Sequence, residues 1–220
     1  RFSDDFPSLR SVQERLPSGR FMRAHLMALL FLGASLAGCL GGTSGGGGDS
    51  SEDPDLSQPA NWTVGQWWLY TFTTPNWQDD SARLVVTEID ADGGTAYMLG
   101  ITNHEEARRH AVMNHNPFLG RITHDNLSAY ENGVAQPVLQ FPLEKGASWS
   151  FTLFDLDWTT SVTDVNEGQA TLVANTSDGQ TLSYVYDGRA GFLENLFWND
   201  ASGDLLLRMI LVSDGFDYEG

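Results

Sequence analysis

The chain has 220 residues, of which 41% are hydrophobic and 19% are charged, and its formal net charge is −17 at pH 7. It contains one cysteine, which rules out a disulfide framework within the chain. Without residues 1–38, which carry five arginines and three acidic residues, 7 Lys and Arg face 26 Asp and Glu, a net charge of −19. Such a surface repels phosphates, so we expect no nucleic-acid partner.

The N-terminal region divides into two segments of different character. Residues 1–21 are polar and irregular, and Met22 is the first methionine, so we expect residues 1–21 to be an upstream or fragment artefact. Residues 22–38 have the order of a signal peptide, with a basic start, an apolar run over 26–32 and small residues before Cys39. The run is shorter than the ~20 residues of a membrane-spanning helix, so we interpret it as a translocation signal.

The segment ends in Leu36-Ala37-Gly38-Cys39, which resembles the lipobox of prokaryotic membrane-anchored lipoproteins. The resemblance extends over about residues 20–48 and does not reach the globular part. It implies that the Cys39 thiol carries a diacylglyceryl-type lipid and that the leader is cut just before Cys39. The mature protein would then be held at the cell membrane, on its extracytoplasmic face. The alternative is a free cysteine in an ordinary membrane-directed helix.

Residues 39–60 separate the predicted anchor from the globular part. Glycine and serine dominate 41–48, and an acidic stretch with two prolines follows. This composition predicts a flexible tether. The membrane is therefore one expected partner, through the lipid on Cys39, and an unidentified ligand outside the cell or in the envelope is the other.

From residue 61 onward, β-branched and aromatic residues alternate with polar ones in short runs. Turn sequences such as Asp92-Gly93-Gly94 and Glu167-Gly168 separate the runs. These connections leave no room for crossover helices, so the pattern predicts an all-β, antiparallel, meander-rich sheet with at most one helical turn, at Glu105–Arg109. The predicted strands are Trp67–Thr73, Arg83–Ile89, Thr95–Ile101, Arg109–Met113, Gly120–His124, Ala129–Glu131, Ser148–Phe154, Thr159–Asn166, Gln169–Asn175, Thr181–Tyr186, Gly191–Trp198 and Leu205–Val212.

An internal repeat indicates two similar halves, 61–135 and 136–220. Residues 65–71 align without gaps to residues 146–152, and both copies read G-x-x-W-x-[YF]-T. The tryptophan and the aromatic residue two positions later share one face of a strand, so we expect each pair to enter the core. The alternative is an exposed aromatic platform for a sugar or a lipid. The alternation does not distinguish a sandwich from a half-barrel or a closed barrel.

The four histidines downstream of Cys39 all lie within His104–His124. Clustered imidazoles are typical of a transition-metal site, but the H-E-x-x-H pattern of zinc proteases is absent. Their spacing does not place them on one face of a strand, so they would have to converge from neighbouring elements. We therefore predict no catalytic residue, no metal and no cofactor. The alternative metal ligands are His104, His110, His115 and His124.

Three sequons of the type N-x-[ST] make Asn61, Asn126 and Asn175 candidate N-glycosylation sites. On an exported chain such sites lie on exposed turns. We expect them to matter only if the organism glycosylates its surface proteins.

Three functions remain open from the sequence. The first is a lipid-anchored, non-catalytic binding or scaffolding domain at the cell surface. The second is a carrier of lipids or other hydrophobic ligands, with a cavity lined by Trp67, Trp149 or Trp158. The third is a metal-dependent hydrolase that uses the His104–His124 window.

Overall fold

The computed structural model describes residues 53–101, 103–112 and 115–216. The predicted leader, Cys39 and most of the tether lie outside the described residues. Within this part of the chain, no helix has both the length and the apolar character to cross a membrane. The elements are β1 (Trp67–Thr74), β2 (Trp77–Asp90), α1 (Ala91–Gly94), β3 (Ala96–Gly100), α2 (His104–Val112), β4 (Gly120–Thr123), β5 (Ala129–Glu131), β6 (Val134–Gln136), β7 (Ser148–Leu153), β8 (Leu156–Asn166), β9 (Gln169–Asn175), β10 (Thr181–Asp187), β11 (Phe192–Asn199) and β12 (Leu205–Gly215).

The twelve strands form one antiparallel sheet, which confirms the predicted all-β meander. Its order is β6-β5-β4-β3-β2-β1-β12-β11-β10-β9-β8-β7, so every pair is consecutive in the chain except the pairing of β1 with β12. The two edge strands, β6 and β7, approach each other, and the sheet is nearly closed into a barrel. The two edges therefore face each other, whereas the edges of a flat sheet would both be open to other chains.

Side chains, and not a strand ladder, connect the two edges of the sheet. The backbone N–H of Thr152 donates to Oε1 of Gln136 at 2.8 Å, and Nε1 of Trp149 donates to the carbonyl of Pro137 at 2.6 Å. Beside them, the N–H of Asp155 donates to Oε1 of Glu131 at 2.9 Å. These bonds satisfy polar groups at the seam that the ladder leaves without partners.

The internal repeat has the same backbone bonding in both copies. Gly65 N–H donates to the Val86 carbonyl, and Gly146 N–H donates to the Val162 carbonyl, at 2.9 and 2.8 Å. Both glycines have positive φ, 87° and 90°, a conformation that few other residues adopt. Each copy thus begins the first strand of a half, β1 or β7, with the same glycine turn.

Alternate hairpin turns lie at opposite ends of the sheet, because the strands are antiparallel. We call the end where the chain enters β1 the near end, and the opposite end the far end. Residues 53–66 pack at the near end, where Leu143 N–H donates to the Leu56 carbonyl at 3.0 Å. The last strand, β12, also ends there, since Gly215 pairs with Trp67. The far end carries the β1–β2, β3–β4, β5–β6, β7–β8, β9–β10 and β11–β12 connections.

Aromatic rings fill the interior towards the near end. Trp62 lies 4.7 Å from Trp68, 4.9 Å from Tyr97 and 4.9 Å from Phe192, measured between ring centroids. The indole Nε1 of Trp62 donates to the Gly191 carbonyl at 3.0 Å, so the buried ring keeps its hydrogen bond. The prediction that the repeated aromatic pairs enter the core is confirmed for three of the four rings, and the fourth, Trp149, is partly buried against it.

The largest departure from the predicted elements is α2. The predicted strand Arg109–Met113 is wrong, because residues 109–112 belong to a helix that begins at His104; Met113 lies outside the described residues. Asn103 accepts the Glu106 N–H through Oδ1 at 2.8 Å, and Asn103 Nδ2 donates to Glu106 Oε2 at 3.1 Å. This reciprocal pair caps the first turn and stabilises the helix over the competing extended conformation.

Candidate functional site at the far end

The four histidines do not form one group. His104, His110 and His115 belong to the β3–β4 connection at the far end, whereas His124 follows β4 at the near end. Among the described residues, no group of three or more His, Cys, Asp and Glu side chains is placed to hold a metal ion. The metal-dependent hydrolase therefore gains no support from this part of the chain.

His110 is the one buried histidine of the four. Its ring packs edge-on against Phe72 with the centroids 5.0 Å apart, and its Nε2 lies 3.3 Å from Oδ2 of Asp80. Burial lowers the pKa of His110, and this effect exceeds the opposing attraction of the Asp80 carboxylate. Asp80 also pairs with the Arg109 guanidinium, which offsets part of the carboxylate's charge. We interpret His110 as a neutral residue that fixes α2 to the sheet.

We expect the free energy of unfolding to fall as the pH drops below the ordinary histidine pKa of 6.5. In this range His110 binds a proton more readily in the unfolded chain than in the folded protein. The free energy of unfolding therefore rises with pH, by at most about 1.4 kcal/mol per pH unit. Urea unfolding at several pH values between 5 and 8 would measure this. The slope should shrink in His110→Gln and persist in His115→Gln, whose side chain is exposed. Equal slopes in both variants would contradict the assignment.

The candidate glycosylation sites differ in exposure. Asn61 and Asn175 are exposed, in agreement with sites on accessible turns. Asn126 is only half-exposed, and its Oδ1 accepts the Phe141 N–H at 3.1 Å, so this side chain is held by a structural contact. Glycosylation itself stays a prediction.

The three tryptophans that were predicted to line a carrier cavity lie in separate environments. Trp158 is buried in the core, with Nε1 donating to the Leu153 carbonyl at 2.9 Å. The Arg83 guanidinium stacks 4.4 Å above the Trp67 ring. Trp149 lines a groove of about 180 Å³ at the near end, beside Phe141. These three rings thus serve packing and the seam, and they do not surround one common cavity.

A pocket of about 120 Å³ lies at the far end, where three separate connections meet. Trp77, in the first hairpin, lines it with 51% of its surface accessible. None of the lining side chains is a carboxylate, an ammonium or a guanidinium. We call it the far-end pocket; its lining residues are Thr74, Pro75, Asn76, Trp77, His115, Trp198 and Leu206.

Trp198 forms the fixed wall of the far-end pocket. Its ring stacks on Phe154 with the centroids 4.3 Å apart and the planes within 2° of parallel. Its Nε1 donates to Oε1 of Gln180 at 3.0 Å, and the His115 ring stands edge-on at 6.4 Å. Two of these contacts come from turns of other hairpins, so the ring is held in one orientation before any ligand arrives.

The pocket also contains an unusual polar group. Thr74 is only 6% exposed, and among the described residues its Oγ1 has no hydrogen-bonding partner. A buried hydroxyl without a partner costs about 1–3 kcal/mol. Such a group on a residue that lines a pocket is compatible with a hydrogen bond that forms only in the bound state.

The fold defines this protein as an all-β, barrel-like domain with a buried aromatic cluster, a class compatible with a binding domain or a carrier. No protein-family model matches the chain, and no curated protein matches it either. Sequence reasoning did not find the far-end pocket, because Trp77, His115 and Trp198 are far apart in the chain and only the strand order brings them together.

Proposed function

We propose that this protein is a lipid-anchored, non-catalytic binding protein on the extracytoplasmic face of the cell membrane. The observation that carries the proposal is that the two ends of the domain differ. The chain enters at the near end, and the far end holds an open pocket with aromatic and uncharged polar walls. An anchor at Cys39 would restrain the near end and leave the far end available to a ligand.

The spacing between Cys39 and the first described residue supports this arrangement. If residues 39–52 form the flexible tether that their composition predicts, their root-mean-square span would be about 20 Å. A diacylglyceryl group supplies two acyl chains, and each buried methylene contributes about 0.8 kcal/mol to membrane binding. Two chains would therefore suffice for stable anchoring, and a flexible tether would permit the domain to reorient.

The binding function is favoured over the carrier because the interior is occupied. Trp62, Trp68 and Phe192 contact one another and are buried. A carrier needs that space for its cargo, whereas a binding domain needs only its exposed end.

The test is expression of the full chain in a prokaryotic host that processes lipoproteins, followed by intact-mass measurement and cell fractionation. We expect a chain that begins at Cys39, carries a diacylglyceryl-type lipid, stays with the membrane and is cut by protease added to intact cells. Cys39→Ser should abolish lipidation and membrane association, while Ser44→Ala, in the tether, should change neither. An unmodified Cys39 thiol on a protein that stays inside the cell would overturn the proposal.

A further inference from the structure

We propose that the far-end pocket binds one pyranose ring at the end of a neutral saccharide. The inference rests on the proposed binding function of the far end and specifies the ligand class. Its basis is the combination of an exposed indole, a fixed second indole and uncharged hydrogen-bonding groups around one small pocket.

The chemistry of the walls matches the two kinds of surface on a pyranose. A sugar ring has an apolar face of C–H groups, which packs on a flat aromatic ring, and a rim of hydroxyls, which need donors and acceptors. Trp77 and Trp198 supply flat rings, and the Asn76 amide supplies both a donor and an acceptor. The imidazole of His115 adds another polar group at the rim.

The size of the pocket restricts the ligand to a small unit. Its volume of about 120 Å³ is well below the roughly 300–1,000 Å³ of sites that enclose drug-sized ligands. A long acyl chain does not fit, whereas one ring of a larger saccharide does when the rest extends into solvent. The net charge of −19 on residues 39–220 disfavours acidic sugars, which would be repelled by the domain.

Two observations distinguish a binding pocket from aromatic residues that only close the far end of the barrel by packing. Residues with that structural role would be buried, but Trp77 remains 51% exposed beside the pocket. Purely structural packing would also give each buried polar atom a hydrogen-bonding partner, but Oγ1 of Thr74 has none among the described residues. A small local shift that brings a sugar hydroxyl to Thr74 would recover the hydrogen bond that the free protein lacks.

The experiment titrates the full chain, in detergent, with methyl α-glucoside, methyl α-mannoside, methyl β-galactoside and N-acetylglucosamine at millimolar concentrations. The readout is the NMR signal of each tryptophan indole N–H. We expect at least one sugar to shift the Trp77 and Trp198 signals saturably. Trp77→Ala should weaken binding at least about tenfold without changing the melting temperature. Phe216→Ala, at an aromatic residue that is 65% exposed at the near end, should have no effect.

Thr74→Val provides a second variant with opposite expected effects on stability and binding. Removing a hydroxyl without a partner should leave the folded state as stable or more stable, while sugar affinity should fall. Unchanged indole signals with all four sugars, binding unaffected by Trp77→Ala, or a response only to tetramethylammonium, the probe for a cation cage, would overturn the inference.

The assay separates this inference from the proposed anchor, because sugar binding in detergent does not require the lipid. Sugar binding by a chain with an unmodified Cys39 would contradict only the proposed lipid anchor. A lipidated, externally exposed chain that binds none of the four sugars would contradict only the inference that the ligand is a neutral saccharide.

Discussion

Replacing Trp62 with alanine is expected to lower the free energy of unfolding by about 3–5 kcal/mol, the usual cost of deleting a buried aromatic side chain. Trp62 precedes the first strand, yet its ring is buried in the near-end core and is 4.7 Å from the Trp68 ring. Its loss opens a cavity and leaves the Gly191 carbonyl without its indole donor. Chemical denaturation of the full chain measures the change.

Val64 offers a matched control two residues away. It is 59% exposed, so Val64→Ala should change the free energy of unfolding by less than about 0.5 kcal/mol. The loss in the free energy of unfolding for Trp62→Phe should lie between those of Trp62→Ala and Val64→Ala, because phenylalanine keeps an aromatic ring but lacks the indole N–H. If Trp62→Ala were as mild as Val64→Ala, residues 53–66 would not be part of the cooperative core.

Gly168→Ala is expected to destabilise the fold by about 2–5 kcal/mol through two separate effects. Gly168 has φ +77°, where a side chain costs about 1–2 kcal/mol. A Cβ there would also stand 2.3 Å from Cδ of Pro54, and overpacking of this kind costs about 1–3 kcal/mol. Denaturation would measure the sum of the two.

Gly203 separates the two contributions. Its φ is +88°, but a Cβ there meets no atom within 4 Å, so Gly203→Ala should show the backbone cost alone. Adding Pro54→Ala to Gly168→Ala should recover part of the loss, as expected for residues in contact. Equal destabilisation by the two glycine variants would show that Pro54 does not pack against the β8–β9 turn in solution.

The strands were largely predictable, because alternation and turn residues are local signals. Helix α2 was predictable in principle from Asn103, whose side chain caps the Glu106 N–H, but the alternation around Arg109 indicates a strand. Strand β6 was missed because it has only three residues, of which Val134 is 60% exposed. Local pattern does not predict such a strand, whose position depends on its pairing with β5.

Closure of the sheet and the far-end pocket were not predictable from local pattern. Closure depends on the pairing of β1 with β12 and on long-range side-chain bonds such as that between Gln136 and Thr152. The pocket depends on the β1–β12 pairing alone, because it brings Trp77 on β2 close to Trp198 on β11. The repeated glycine turns were visible in sequence, and they lie directly before β1 and β7.

The central position of β1 has a mechanical consequence. Although β1 is the first strand after the N-terminal segment, it is hydrogen-bonded on both sides, to β2 and to β12. If a ligand held at the far end were pulled away from an anchored N-terminus, the tension would run along the β1 axis and load both ladders in shear. Many bonds would then have to break at once, so the strand nearest the anchor would resist extraction where an edge strand would peel away bond by bond.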